Sequence, residues 1–334
     1  MSGAGKKPGL CVISGVTGMT GSELARQLVR RGSRVVGFDN FFASSIAAVE
    51  DILDHPLFTF WEYDLNHEGQ MERLARQVRA LGREWGPAVY INCAAVVHTE
   101  HFYHVERTFD TNVLGMRRFL EQAIAEGAEI FINCSTSEVY SIASWREGGV
   151  RESDCLQLAS AEHSQRTSYA AGKLMTEFFM KDAADAGKIK GCSVRFANVY
   201  SAGELCPKHI IPHILHSLKR DGRVELLENS RRNRRTFLYN TDSCSAVLAL
   251  IDAEDALDGT VYNAATQEEI SIVDLTALCA RQLNIPNPEI VFRGWRASDP
   301  ERRLLNTDKL RTRTGWAPQV SLEQGIRLCA GRLL

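Results

Sequence analysis

"LCVISGVTGMTGSELARQLVRRGSRVVGFD", Leu10 to Asp39, decides the fold. It opens on five residues with no charge, breaks at Gly15, Gly18 and Gly21, runs on with helical spacing, and closes on a second apolar run. A short apolar run bounded by glycine reads as a buried strand, and apolar residues three and four apart read as one face of a helix. Two strands joined through a helix lie parallel in one sheet.

The same alternation continues outward. "FTFWEYD", "MERLARQVRALG", "AVYINCAA", "TNVLGMRRFLEQAIAEG", "EIFINCS", "TSYAAGKLMTEFFMKDAADAG" and "GCSVRFANVYS" follow in order, and the strands are nearly continuous apolar runs, as when helices cover both faces. The expected class is α/β, a Rossmann-type doubly wound parallel sheet with a smaller C-terminal lobe. Residues 8–201, with returning segments near 236–265, form the first domain in this reading; 202–235 and 266–334 form the lobe. In the lobe, "PKHIIPHILHSLKRDG" predicts an amphipathic helix opened near Pro207, and "RVELLENSRRNRRTFLYNTD" a basic loop between two short strands. Ser141 to Ser168 reads as a long polar connection.

At 334 residues, with 44% hydrophobic and 24% charged residues and a formal net charge of −2, the chain has ample core and no field to attract nucleic acid or an anionic membrane. Its nine cysteines form no CxxC pair and read as buried thiols in a reducing compartment. The start "MSGAGKKPGL" has no apolar run behind its lysines, and no run approaches the ~20 residues that span a bilayer. The expectation is a cytoplasmic protein with no membrane partner. No His/Cys/Asp cluster has metal-ligand spacing, so no metal is expected.

Gly15, Gly18 and Gly21, with Met19 and Thr20 between them, stand where backbone N–H groups and a helix start approach a pyrophosphate. Asp39 closes the second strand, 18 residues after Gly21 (39 − 21 = 18), where a carboxylate accepts from the adenosine ribose and repels a 2′-phosphate. NAD is therefore expected over NADP. Asp64 with Leu65, at the third strand end, suits the adenine edge; Ala94 and Ala95, at the fourth, let a cofactor lie close.

Tyr169 and Lys173 in "SYAAGK" are four apart on a predicted helix and share a face. A phenol of pKa near 10 becomes a usable base beside an ammonium and a cationic nicotinamide ring. Between the glycine loop and this pair lies "STSEVY", where Thr136 is the expected donor to the substrate oxygen that Tyr169 deprotonates. Ser135 finishes the strand; Ser137 finishes it or touches substrate. His98 in "VVHTE" is a candidate sugar contact.

In ordered motifs the chain resembles the extended short-chain dehydrogenase/reductases that act on nucleotide sugars, from about Leu10 to Pro318. "GVTGMTG", "DN" at Asp39 and Asn40, "CAA", "TNVLG" with Asn112, "STSEVY", "YAAGK", "RFANVYS" with Asn198, "RRTFLYNTD" and "DPERR" carry the resemblance. It implies that Asn40 and Asn112 belong to the cofactor side, that Asn198 faces substrate, that Arg235 holds the diphosphate, and that Arg302 or Arg303 is a second anion contact. Of the basic run 231–235, only Arg235 is expected to be bound, since charge runs are usually solvated. A homodimer through the helices of Asn112 and Tyr169 is also implied, with Phe178, Phe179 and Met180 either as its apolar surface or, equally, as core.

The sequence departs from that pattern at Ser141 and Ser201, where the resemblance implies glycine, and at "ENSRRNRR" before the diphosphate arginine. The resemblance implies a shared first step, oxidation at sugar C4 by NAD with Tyr169 as base. After it, decarboxylation of a UDP-glucuronate-type substrate and 4-epimerisation stand level, with Glu138 available to move a proton at C5. A 4,6-dehydratase is the next alternative. Arg303 matches the decarboxylase pattern, whereas Leu304 and Leu305 replace its usual Lys-Pro. A redox-inert NAD-binding sensor or scaffold is the reading of another class; intact Thr136, Tyr169 and Lys173 argue against it.

Overall fold

The computed structural model describes residues 9–97, 104–141, 146–164, 167–204, 206–296 and 299–333. In chain order the first half runs β1 (Leu10–Ser14), α1 (Met19–Arg30), β2 (Arg34–Asp39), β3 (Phe58–Glu62), α2 (Glu68–Trp85), β4 (Ala88–Asn92), α3 (Val105–Phe109), α4 (Met116–Ala125), β5 (Ile130–Thr136), α5 (Thr167–Asp185) and β6 (Lys190–Phe196). The second runs β7 (Asn198–Tyr200), α6 (Ile210–Asp221), β8 (Arg223–Leu226), β9 (Arg234–Tyr239), α7 (Asn240–Asp252), β10 (Asp258–Ala264), β11 (Glu269–Ser271), α8 (Ile272–Gln282), β12 (Glu289–Phe292), β13 (Arg302–Arg303), α9 (Asp308–Thr314) and α10 (Leu322–Leu333).

Seven strands make one parallel sheet in the order β10-β6-β5-β4-β1-β2-β3. Strand order reverses between β1 and β4, and the crevice at the carboxyl ends there is where such sheets take ligands. All five residues of β1 and all five of β4 are buried, which is why they read as unbroken apolar runs. Helices pack both faces: Leu24, Leu28, Val247 and Ile251 lie in one core, and Leu74, Met116, Phe119 and Met180 in the other.

A further core gathers Tyr200, Ile214, Leu218, Phe237, Leu275 and Ile326 from β7, α6, β9, α8 and α10. There β9 pairs with β7 and β13 in parallel and with β11 antiparallel, while β8 pairs with β12. The helix expected near Pro207 begins at Ile210 with His209 as its N-cap, and the basic stretch is two strands around a 3-10 turn at Glu228–Arg231. Strands β3 and β4 stop two residues short of Asp64 and Ala94, which therefore lie on the loops past the strand ends. The helix of Asn112 is π-wound over Asp110–Gly115 before it becomes α4.

Six of the nine cysteines are buried; Cys155 is exposed, and Cys93 and Cys206 are partly so, which corrects the expectation of nine buried thiols. Phe178 is 62% exposed, whereas Met180 is fully buried in the core and Phe179 is half-buried against it. Residues of α5 three and four apart share a face, and Met175 and Phe178 are the exposed pair. No helix among the described residues is long and apolar enough to cross a membrane.

Candidate active site

One large cleft of about 2040 Å³ runs across the carboxyl ends of the sheet and under the second core. The glycine loop forms one end. Gly15 has φ +68°, and a Cβ there would sit 2.7 Å from the Ala94 backbone. A Cβ on Gly21 would lie 2.2 Å from the Gly15 carbonyl oxygen. Both positions thus require glycine, for the left-handed turn and for the close approach of α1 to the loop. The N-cap of α1 is Gly18, with no side-chain cap, so the first-turn N–H groups at Met19, Thr20 and Gly21 open onto the cleft.

Asp39 closes the loop from the side. Its carboxylate accepts from Thr17 N (3.1 Å), Phe41 N (3.0 Å) and Ser44 Oγ (3.3 Å). A carboxylate has about four acceptor sites, so one remains for a ligand. Asn40 Nδ2 donates to Asp64 Oδ2 at 3.0 Å, and Asp64 and Leu65 line the same end. Ala94 and Ala95 form the wall opposite. Asn112 does not reach the cleft: it is buried, accepting from Val96 N (2.7 Å) and donating to Val96 O (3.2 Å). Its amide pins the loop that follows β4, an indirect placement that the motif alone did not reveal.

In the middle of the cleft Tyr169 and Lys173 extend from α5, 7% and 3% exposed. Lys173 Nζ donates to the Cys134 carbonyl at 2.8 Å, and burial pulls its pKa down, opposed by the neighbouring Cys134, Cys93 and Glu177 side chains. Thr136 caps the 3-10 turn Ser137–Tyr140: its Oγ1 accepts from Glu138 N at 3.1 Å and keeps its own proton to donate. Glu138 points into the cleft and pairs with Arg303, whose Nη1 donates to Oε1 at 2.7 Å. Ser141, which closes the turn, takes φ +39°, the left-handed range that explains glycine as the usual occupant.

Ser137, buried at 3% exposure, does not line the cleft. Nor does Arg302, which pairs with Glu269 at 2.5 Å. The alternation of β13 explains it: Arg303 opposes Arg235 across the pairing with β9 and shares its face, so Arg302 takes the other. Arg235 lines the cleft and donates to Asp299 Oδ1 at 2.8 Å; burial lowers its pKa, opposed by Asp299. Arg231, Arg232 and Arg234 pair instead with Glu228, Glu301 and Glu269. Asn198 lines the wall and donates to Thr236 O at 3.2 Å. His98 lies outside the described residues.

Two features escaped the sequence reading. Asp299, the partner of Arg235, stood unremarked in "DPERR", and Ser135 does more than end a strand: its hydroxyl donates to buried Glu177 at 2.5 Å. A carboxylate opening the quoted "DPERR" and another four residues past the quoted lysine were the available signals.

A model of the NAD dependent epimerase/dehydratase family matches residues 11–265. The chain belongs to that family. The chain is 24% identical to UDP-glucuronic acid decarboxylase 1 of Arabidopsis thaliana, over 97% of this chain and 69% of the relative. It is 28% identical to the dTDP-D-glucose 4,6-dehydratase of Mus musculus, over 70% of this chain and 65% of the relative. Among solved structures it superposes on a UDP-glucose 4-epimerase of Thermotoga maritima with UDP-glucose at a TM-score of 0.84 and 22% identity, covering 97% of this chain and 98% of that one. The cofactor of the family is NAD, and the glycine cradle, the uncapped start of α1 and the spare acceptor site on Asp39 fit it.

Proposed function

We propose that this chain oxidises a nucleotide sugar at C4 and then removes CO2 from a UDP-uronate. The observation that carries the second half is Arg303, a cation 8% exposed on the cleft wall beside Glu138, with an Nε that meets no acceptor among the described residues. A guanidinium with a donor to spare matches a substrate carboxylate.

NAD, when bound, supplies the hydride acceptor for C4 and returns the hydride afterwards. Tyr169 takes the C4 hydroxyl proton, and Thr136 donates to the same oxygen. The ammonium of Lys173 favours the phenolate. With C4 a ketone, the C6 carboxylate is β to a carbonyl. The C5–C6 bond electrons become the C4–C5 enolate as CO2 leaves, and a proton returns to C5, with Glu138 as the acid–base group on that wall. Arg235 and the N–H groups of the α1 start take the anionic phosphates of the substrate and cofactor respectively.

A second reading, 4-epimerisation, is favoured by the Arg303–Glu138 contact itself, which leaves this wall charge-balanced without any substrate carboxylate. UDP-glucuronate and UDP-glucose supplied separately decide between them. Decarboxylation predicts CO2 from UDP-glucuronate, and Arg303→Ala should slow its release about 10²-fold, the typical cost of losing one partner of a buried charged contact. Inversion of UDP-glucose at C4 with no CO2 from UDP-glucuronate would replace the first reading with the second.

We also propose a homodimer. Val105 and Phe109 on α3 and Met175 and Phe178 on α5 are 46–62% exposed, and helices that carry large apolar side chains outward suit a second copy of themselves. Phe178→Asp should shift the sedimenting species from dimer to monomer; a wild-type chain that sediments as a monomer would refute the dimer.

A further inference from the structure

Three consecutive residues of β5 hold α5. Asn133 Nδ2 donates to Thr176 Oγ1 (2.9 Å), Lys173 Nζ to Cys134 O (2.8 Å), and Ser135 Oγ to Glu177 Oε1 (2.5 Å). Glu177, one turn beyond Lys173, is gripped from the next strand by Arg195, through Nε at 2.9 Å and Nη2 at 2.6 Å. Arg195 is the register partner of Ser135, and both members of the ion pair are 4% exposed. The third guanidinium nitrogen, Nη1, donates to Tyr140 Oη at 2.8 Å; that hydroxyl donates to Asn263 Oδ1, also at 2.8 Å. Burial pushes the Tyr140 phenol up to about 12, so it remains a donor. Asn263 Nδ2 ends the chain on the carbonyls of Val150 and Asn306, three residues past Arg303.

A buried ion pair is a poor way to gain stability, because desolvation of both charges offsets their attraction. Its connections suggest another purpose. We infer that the Glu177–Arg195 pair is a positioning device, which fixes the helix of Tyr169 and Lys173, the turn of Thr136 and Glu138, and the segment after Arg303 in one arrangement without touching substrate. The inference rests on the proposed roles of those residues. It accounts for "EVY", "RFANVYS" and "YNAAT", whose Tyr140, Arg195 and Asn263 are otherwise outside the reaction.

The test compares wild type with a Glu177→Met/Arg195→Met double variant and with Tyr140→Phe. Apolar replacement of both charges is expected to keep the unfolding midpoint and bound NAD. The kcat should nevertheless fall about tenfold or more, because small misplacements of reacting groups are costly, with KM nearly unchanged. A folded double variant with wild-type kcat overturns the inference. Should that variant fail to fold, Tyr140→Phe decides: lowered kcat at unchanged KM supports the device, and wild-type kcat refutes it. The tyrosinate difference spectrum against Tyr169→Phe reads the same positioning without substrate, and an unchanged Tyr169 titration in the double variant also overturns it. Wild-type protein that never reduces bound nicotinamide with any nucleotide sugar would instead sink the proposed function.

Discussion

Tyr169→Phe should lower kcat by about 10³-fold while the protein keeps its NAD. General-base catalysis is worth about 10²–10⁴-fold, and the neighbouring Lys173, whose Nζ donates to the Cys134 carbonyl, is held as the cation that favours the phenolate and not as a second base. Phenylalanine preserves the ring of this buried residue, so packing on α5 is retained. Steady-state turnover of UDP-glucuronate and UDP-glucose, with NAD content measured on the same preparation, separates the two effects. Activity within tenfold of wild type would remove Tyr169 from the role of base.

Gly21→Ala should abolish retention of NAD, with a loss of affinity of about 10²-fold or more. The added methyl would lie 2.2 Å from the Gly15 carbonyl oxygen and 2.8 Å from Val16 Cα, and both are backbone, so the loop or α1 must move. Overpacking of this kind costs about 1–3 kcal/mol, and the shift falls on the N–H groups facing the pyrophosphate. Gly82→Ala is the control: that glycine lies inside α2 with no heavy atom within 4 Å of the added methyl, and alanine there should stabilise by up to about 1 kcal/mol with NAD binding intact. Equal NAD content in the two variants would refute the cradle.

Much of this was legible because its causes are local. Continuous apolar runs alternating with helical spacing imply a parallel sheet, and β1, β4 and the glycine loop follow from that alone. Tyr169 and Lys173 share a face because a helix turns every 3.6 residues, wherever the helix lies. Of the basic run Arg235 lines the cleft, while Arg231, Arg232 and Arg234 each pair with a carboxylate away from it.

The rest depended on contacts between segments far apart in the chain. Arg302 and Arg303 are equivalent in sequence, and alternation says only that they point opposite ways; the pairing of β13 with β9 chooses Arg303 for the cleft. Asn112 carried the right motif but spends its amide on Val96, and Ser135, read as a strand end, holds Glu177. Glu177, Arg195, Tyr140 and Asn263 lie on four separate segments, and the hydrogen bonds of 2.6–2.9 Å between them depend on how the sheet stacks its strands. Residue type and spacing suffice for what one strand or one helix does by itself; which polar side chains meet is a matter of register and packing, because buried donors and acceptors must find partners wherever the fold brings them.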